Sequence, residues 1–190
     1  MRPAVVALLS VAAGPGWAAD APRDFVAAVE ARLRAARVLP APDAREPACR
    51  ALLAEAFDAD ALARTAAGAH WPGFDAALRA AMTEATARRL GRECPALLSR
   101  PDAGAMEVAR ERADAAGARI VTRLPRPDGT ATVLSWTIVR GGAQGWRLAD
   151  LAADGIGIAA TLRSEFDALV ALHDGDLGAV IGALATGGQP

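Results

Sequence analysis

The chain of 190 residues contains no lysine and no tyrosine. All 21 of its basic residues are arginine, and 22 acidic residues bring the formal net charge to -1. That balance lacks the basic stripe with which nucleic-acid binders meet phosphates, so no nucleic acid is expected as a partner. Aromatic residues make up only 4% of the chain. Its 53% apolar content is rich in alanine, which points to close-packed helices with few large anchors. The body of the chain has no apolar run of about 18 residues or more, which excludes a transmembrane helix there. Cysteine is limited to Cys49 and Cys94, and histidine to His70 and His173; so sparse a set makes no zinc pattern. Also missing are a Gly-x-Ser-x-Gly elbow, a glycine-rich phosphate loop and a His-Glu-x-x-His helix. A catalytic histidine needs a nucleophile or carboxylate within reach, so both histidines read as surface or capping groups. No catalytic residue, cofactor or metal is expected.

The first 18 residues have the form of a secretory signal peptide. Arg2 supplies a positive charge, residues 4–13 a short apolar stretch, and Gly16-Trp17-Ala18 small residues at a cleavage site. The competing reading is a short membrane anchor, for which the apolar run is too short. Residues 19–190 are then one exported domain, placed in the periplasm. In an oxidising compartment an even cysteine count favours a bond between Cys49 and Cys94. It would close a loop of about 45 residues, worth on the order of 4 kcal/mol in the chain-entropy model. The alternative is two separate buried thiols.

Helical periodicity marks residues 23–37, where Phe25, Val29 and Leu33 share a face. Pro40, Pro42 and Pro47 predict an irregular linker over 38–47. Helices follow over 48–57 and from an Asp58 or Asp60 cap to Gly68. Trp71-Pro72-Gly73 is a turn, and a long helix over 74–90 carries Leu78 and Met82. Residues 95–104 read as a loop. The character then changes: 106–112, 118–124, 131–140 and 146–152 are strand-like, joined by turn-type sequences at Ala115-Ala116-Gly117, Pro127-Asp128-Gly129 and Gly141-Gly142. In the third of these runs Leu134, Trp136 and Ile138 alternate with smaller or polar residues. In the fourth, simple alternation puts Trp146, Leu148 and Asp150 on one face and Leu151 on the other. Helices over 158–172 and 176–185 close the chain. Helices, then a four-stranded antiparallel meander, then helices, define an α+β fold.

The most distinctive stretch is 145–170, where a strand passes through Asp154-Gly155-Ile156-Gly157 into a helix bearing Arg163-Ser164-Glu165-Phe166. Upstream stand Arg50, Phe57-Asp58, Leu62-Ala63-Arg64 and Gly68-Ala69-His70-Trp71, and in the sheet Asp128-Gly129 and Trp136. In this order and spacing they resemble the MlaC, or toluene-tolerance, family of periplasmic phospholipid-binding proteins over about 45–185. The chain departs from the family pattern in lacking tyrosines after the long helix, in lacking a basic surface, and in having Ile-Gly where Val-Ser is usual. The resemblance implies an NTF2-like fold and a lipid carrier with no enzymatic activity. It also implies three partners: phospholipid, an inner-membrane ABC transporter complex and an outer-membrane lipoprotein complex.

Under that resemblance, acyl chains would lie between sheet and helices, and the candidate walls are Trp71, Phe74, Leu78, Met82, Leu134, Trp136 and Ile138. The plainer reading of the same side chains is ordinary core. Asp150, Arg163 and Phe166 match family positions and read as structural, with Arg163 pairing Asp150 or Asp154. Two other readings stand beside the carrier. One is a binder or enzyme for another apolar ligand, such as a hopanoid-like or polycyclic lipid; the enzymes known on NTF2-like folds use a tyrosine oxyanion donor, which this chain lacks. The other is a ligand-free interaction module.

Overall fold

The structure is a computed structural model and describes residues 21–99, 104–141 and 145–187. The expected signal peptide lies outside the described residues. The N-terminal helices are α1 (Pro22–Arg37), α2 (Pro42–Ala56), α3 (Ala59–Ala67), α4 (Ala76–Gly91) and α5 (Cys94–Ser99), with a 3-10 segment, Gly68–Gly73, between α3 and α4. The strands are β1 (Glu107–Ala113), β2 (Gly117–Pro125), β3 (Ala131–Arg140), β4 (Trp146–Ala153) and β5 (Ile156–Gly157). Helices α6 (Ile158–Leu172) and α7 (Leu177–Thr186) complete the α+β fold. None of the described helices is long and apolar enough to cross a membrane.

Two segments expected to be irregular are helical. Pro42 starts α2 at its first position, where a missing N–H costs nothing and the fixed φ suits the helix. Pro47 lies inside the same helix, whose inner side is held by buried Cys49, Leu52 and Leu53. Likewise, Cys94–Ser99 forms a short helix where a loop was expected; the Leu97 carbonyl accepts from Arg37 Nε at 3.0 Å. The long helix begins two residues later than its apolar pattern suggested. Asp75 is its N-cap and accepts from the Leu78 N–H at 2.8 Å, which leaves Phe74 just ahead of it.

The sheet is antiparallel throughout, in the order β1-β2-β3-β4-β5. The expected four strands gain a fifth, because the Asp154-Gly155 turn folds Ile156 and Gly157 back against Ala153 and Ala152. Both turn residues have positive φ, +49° at Asp154 and +89° at Gly155, a conformation that Asp and Gly adopt more readily than most residues.

A second departure concerns β4. Leu148 faces Ile138, but Asp150 faces Thr137 and Leu151 faces Trp136, across an irregularity at Thr137/Ile138. This bulge switches the alternation, so Leu151 joins Trp136 and Leu148 on the inner face and Asp150 leaves it. The Asp150 carboxylate instead accepts from the Ala159 N–H at 3.0 Å, in the first turn of α6. There it serves an unpaired helix donor and sits favourably at the positive end of the dipole.

Helices cover the inner face of the sheet. α1 packs on β1 and β2, α2 and α3 on β4, and α6 on β4 and β5. The α2–α3 junction is tied across β4: the Asp58 N–H donates to the Leu148 carbonyl at 2.9 Å, and Arg147 donates to the Phe57 carbonyl at 2.9 Å. α4 packs against α2, α3 and α7. Cys49 and Cys94 form a disulfide with Cα atoms 5.8 Å apart, joining α2 to the start of α5.

Candidate functional site

The inner sheet face is apolar because period-two alternation puts Leu134, Trp136 and Ile138 of β3 inward, at 8%, 4% and 1% exposure. Ile120 of β2 and Leu148 of β4 flank them, and both are fully buried. Phe74 and Met82 belong to the same continuous core, with Trp71 and Leu78 packed against it half-buried. The seven candidate wall residues thus share one core but occupy different parts of it. Leu134, Trp136 and Ile138 lie under the sheet. Met82 and Leu78 lie on α4, within a helical group formed with α2, α3 and α7.

Clefts open on the surface of the described residues, two of them of similar size. One, of about 460 Å³, is lined by residues of α2, α4 and α7, including Arg50, Glu84, Arg88 and Arg92. The other, of about 410 Å³, lies at the β1–β2 turn against Thr137, Ile138 and Val139. Of the seven candidates only Ile138 lines either cleft. The inner sheet face is covered by packed side chains, since Ile120, Leu134, Trp136, Ile138 and Leu148 are all buried.

Sequence reasoning missed several neighbours of these residues. Trp71 stands beside the guanidinium groups of Arg64 and Arg79, 5.9 and 5.7 Å from its ring centroid, and 5.7 Å from the Phe74 ring. The helical spacing of Arg64 gave no sign of this, because the 3-10 segment turns Trp71 back over α3. Thr122 was also missed; it is a buried hydroxyl on the apolar face, bonded to Trp136 Nε1 at 2.9 Å. Its place between Ile120 and Leu124 at period two was the available signal.

The remaining motif residues hold the framework. Arg163 does not pair with Asp150 or Asp154. It donates to Asp167 one turn on, at 3.0 Å, and to the Thr65 carbonyl at 3.2 Å. Asp150 is engaged at the α6 N-terminus, and Asp154 is bonded by Arg126 at 2.8 Å and by the Val133 N–H at 2.9 Å. Phe166 is fully buried, and the exposed His70 meets its ring edge-on at 5.8 Å. His173 ends α6. Glu165 accepts from Arg89 at 2.9 Å, which ties α6 to α4. Burial works against the Arg89 charge, yet hydrogen bonds to Glu93 and Glu165 outweigh it and raise its pKa. Among the described residues no group of three or more His, Cys, Asp or Glu side chains could hold a metal ion.

A mixed fold of this kind, with an apolar sheet face covered by helices, is a two-layer α+β architecture. The family model for the MlaC protein matches residues 23–186, and the chain belongs to that family. A solved structure of the same fold is the phospholipid-binding protein from Ralstonia solanacearum in complex with a phospholipid. The two share 17% identity at a TM-score of 0.68, over 84% of this chain and 92% of that one. No curated protein sequence matches the chain.

Proposed function

We propose that this protein is a periplasmic carrier that takes phospholipid acyl chains into the apolar space between sheet and helices. Membership of the MlaC family across nearly the whole domain is the observation that carries this reading, and the phospholipid-bound relative of like fold supports it. The apolar inner face of β2, β3 and β4 supplies the wall. Two acyl chains of roughly 30 methylenes would gain about 0.8 kcal/mol for each one withdrawn from water. The side chains that meet there would part to admit the acyl chains and pack on them instead of on one another. Leu134, Trp136 and Ile138 form the sheet wall. Phe74 and Leu78 form the helical side, Met82 of the candidate wall anchors α4 behind them, and Trp71 lies at the edge between Arg64 and Arg79.

On this reading the first 18 residues direct export and are removed. The protein catalyses no reaction; it moves lipid between an outer-membrane lipoprotein complex and an inner-membrane ABC transporter. The test is native mass spectrometry of the exported, folded protein, followed by organic extraction. Diacyl phospholipid is expected at about one molecule per chain. The reading fails if extraction yields none and added phospholipid does not bind.

A further inference from the structure

Among the described residues of β2, β3 and β4, one polar side chain is fully buried on the inner face. Thr122 stands between Ile120 and Leu124 along β2 and opposite Leu134 on β3, and it is 1% exposed. Its oxygen accepts from Trp136 Nε1 at 2.9 Å. Its own proton is directed at Met106 Sδ, 3.5 Å away, and a thioether is a weak acceptor. Buried hydroxyl groups ordinarily find strong partners. Here the donor half of the hydroxyl is under-used while its acceptor half is fixed by the indole, which sets the direction in which the proton points.

The position along the strand matters as well. Ile120 on one side is fully buried, whereas Leu124 and Met106 are half-buried. Thr122 therefore lies where the apolar face passes from core towards solvent. In a bound diacyl phospholipid, the ester groups occupy the same boundary between chains and headgroup. Met106, just ahead of β1, is unbranched and adaptable, the kind of side chain that yields readily to a new neighbour.

We infer that Thr122 is an ester-recognising donor: its hydroxyl, oriented by Trp136 and covered by Met106 in the closed form, donates to an ester carbonyl of the bound lipid when Met106 moves aside. This rests on the phospholipid reading above. A carbonyl oxygen is a much better acceptor than a thioether, so the exchange of partners favours ester-linked lipid. An ether-linked lipid has no carbonyl at that point and gains nothing from the exchange.

The experiment compares two probes with the exported full-length mature protein: dioleoyl phosphatidylglycerol, and the dialkyl-ether lipid with the same chains and headgroup. Equilibrium binding is expected to favour the ester lipid by about fivefold, the scale of one neutral hydrogen bond. Thr122→Val should bring the two lipids to parity by weakening the ester lipid alone, and Thr122→Ser should keep the preference. Met106→Leu removes the sulfur acceptor and should widen it. Because each variant is compared with itself on two lipids, a general loss of stability cancels. Equal binding by the unaltered protein, or a preference that survives Thr122→Val, overturns the assignment and leaves the phospholipid reading standing. Failure to bind either lipid overturns both. If Thr122→Val does not fold, the unaltered protein and Met106→Leu decide, and a preference that Met106→Leu leaves unwidened counts against Thr122.

Discussion

Single side chains in this protein separate lipid contact from framework. Leu134 lies on the sheet beside Thr122 and Ala153 and retains 8% exposure. Met82 has none and sits on α4 among helices. An arginine at either place buries a charge without a partner, at a cost of several kcal/mol unless it reaches water. Leu134→Arg is expected to extend its head past the nearby sheet end, keep the fold and lose co-purifying phospholipid. Met82→Arg has no such route and is expected to lower the unfolding midpoint by about 10 °C or more. Lipid extraction beside thermal unfolding checks both; unchanged lipid content in folded Leu134→Arg would remove that residue from the wall. Gly68 makes a different point. Its φ is +48°, and a Cβ there would fall 1.6 Å from an Arg163 guanidinium nitrogen. Gly68→Ala should cost about 1–3 kcal/mol from the backbone alone, because φ +48° with ψ -114° is a conformation that residues with a Cβ rarely adopt, with a further loss from displacing Arg163. In an Arg163→Ala background only the backbone part should remain, and denaturant unfolding of the four proteins measures the difference.

At the scale of elements, the disulfide and the helix caps determine how firmly the helical layer is closed. Cys49 and Cys94 are fully buried and bind α2 to the start of α5. Replacing both with alanine is expected to lower stability by about 2–4 kcal/mol and to change phospholipid affinity less, since the bond joins one helix to another. Non-reducing mass spectrometry and denaturant unfolding test this, and two alkylatable thiols in the folded exported protein would contradict the bond. The same elements show what the sequence disclosed. The β2–β3 hairpin was legible because alternation in β3 is regular and Asp128-Gly129 closes it with Gly129 at φ +81°. The cysteine pairing was open to reasoning from count and compartment. The α2 start was missed because Pro42, Pro47 and Pro40 together read as a break, although a proline at the first helical position favours a helix. The place of Asp150 was missed because a bulge depends on the pairing of two strands and leaves no mark in either alone. For the same reason Arg163 was assigned the wrong partner: Asp150 had already gone to the α6 N-terminus, and Thr65 approaches only after α3 and α6 have packed.

For the whole molecule, the central sheet interrupts the helical layer in chain order. The helices before it and the helices after it must meet across it. α4 packs on α7, Arg92 bonds the Leu184 and Ala185 carbonyls at 2.9 and 2.5 Å, and Val180 and Leu184 of α7 are fully buried. A chain ending before Leu177 is therefore expected to form the hairpins but leave the apolar side of α4 open. Such a protein should bind a hydrophobic dye, aggregate and lose cooperative unfolding, whereas one ending at Gly187 should behave as the full chain does. Calorimetry of the two truncations distinguishes them, and cooperative melting of the shorter one would refute the expectation. The consequence reaches into biosynthesis. A chain made from its N-terminus exposes α4 for the whole time needed to add the sheet and α6, and the last ten-residue helix closes it. Until then the oily surface has no cover of its own, so on the export reading a holding chaperone would be needed until the last helix has crossed the membrane.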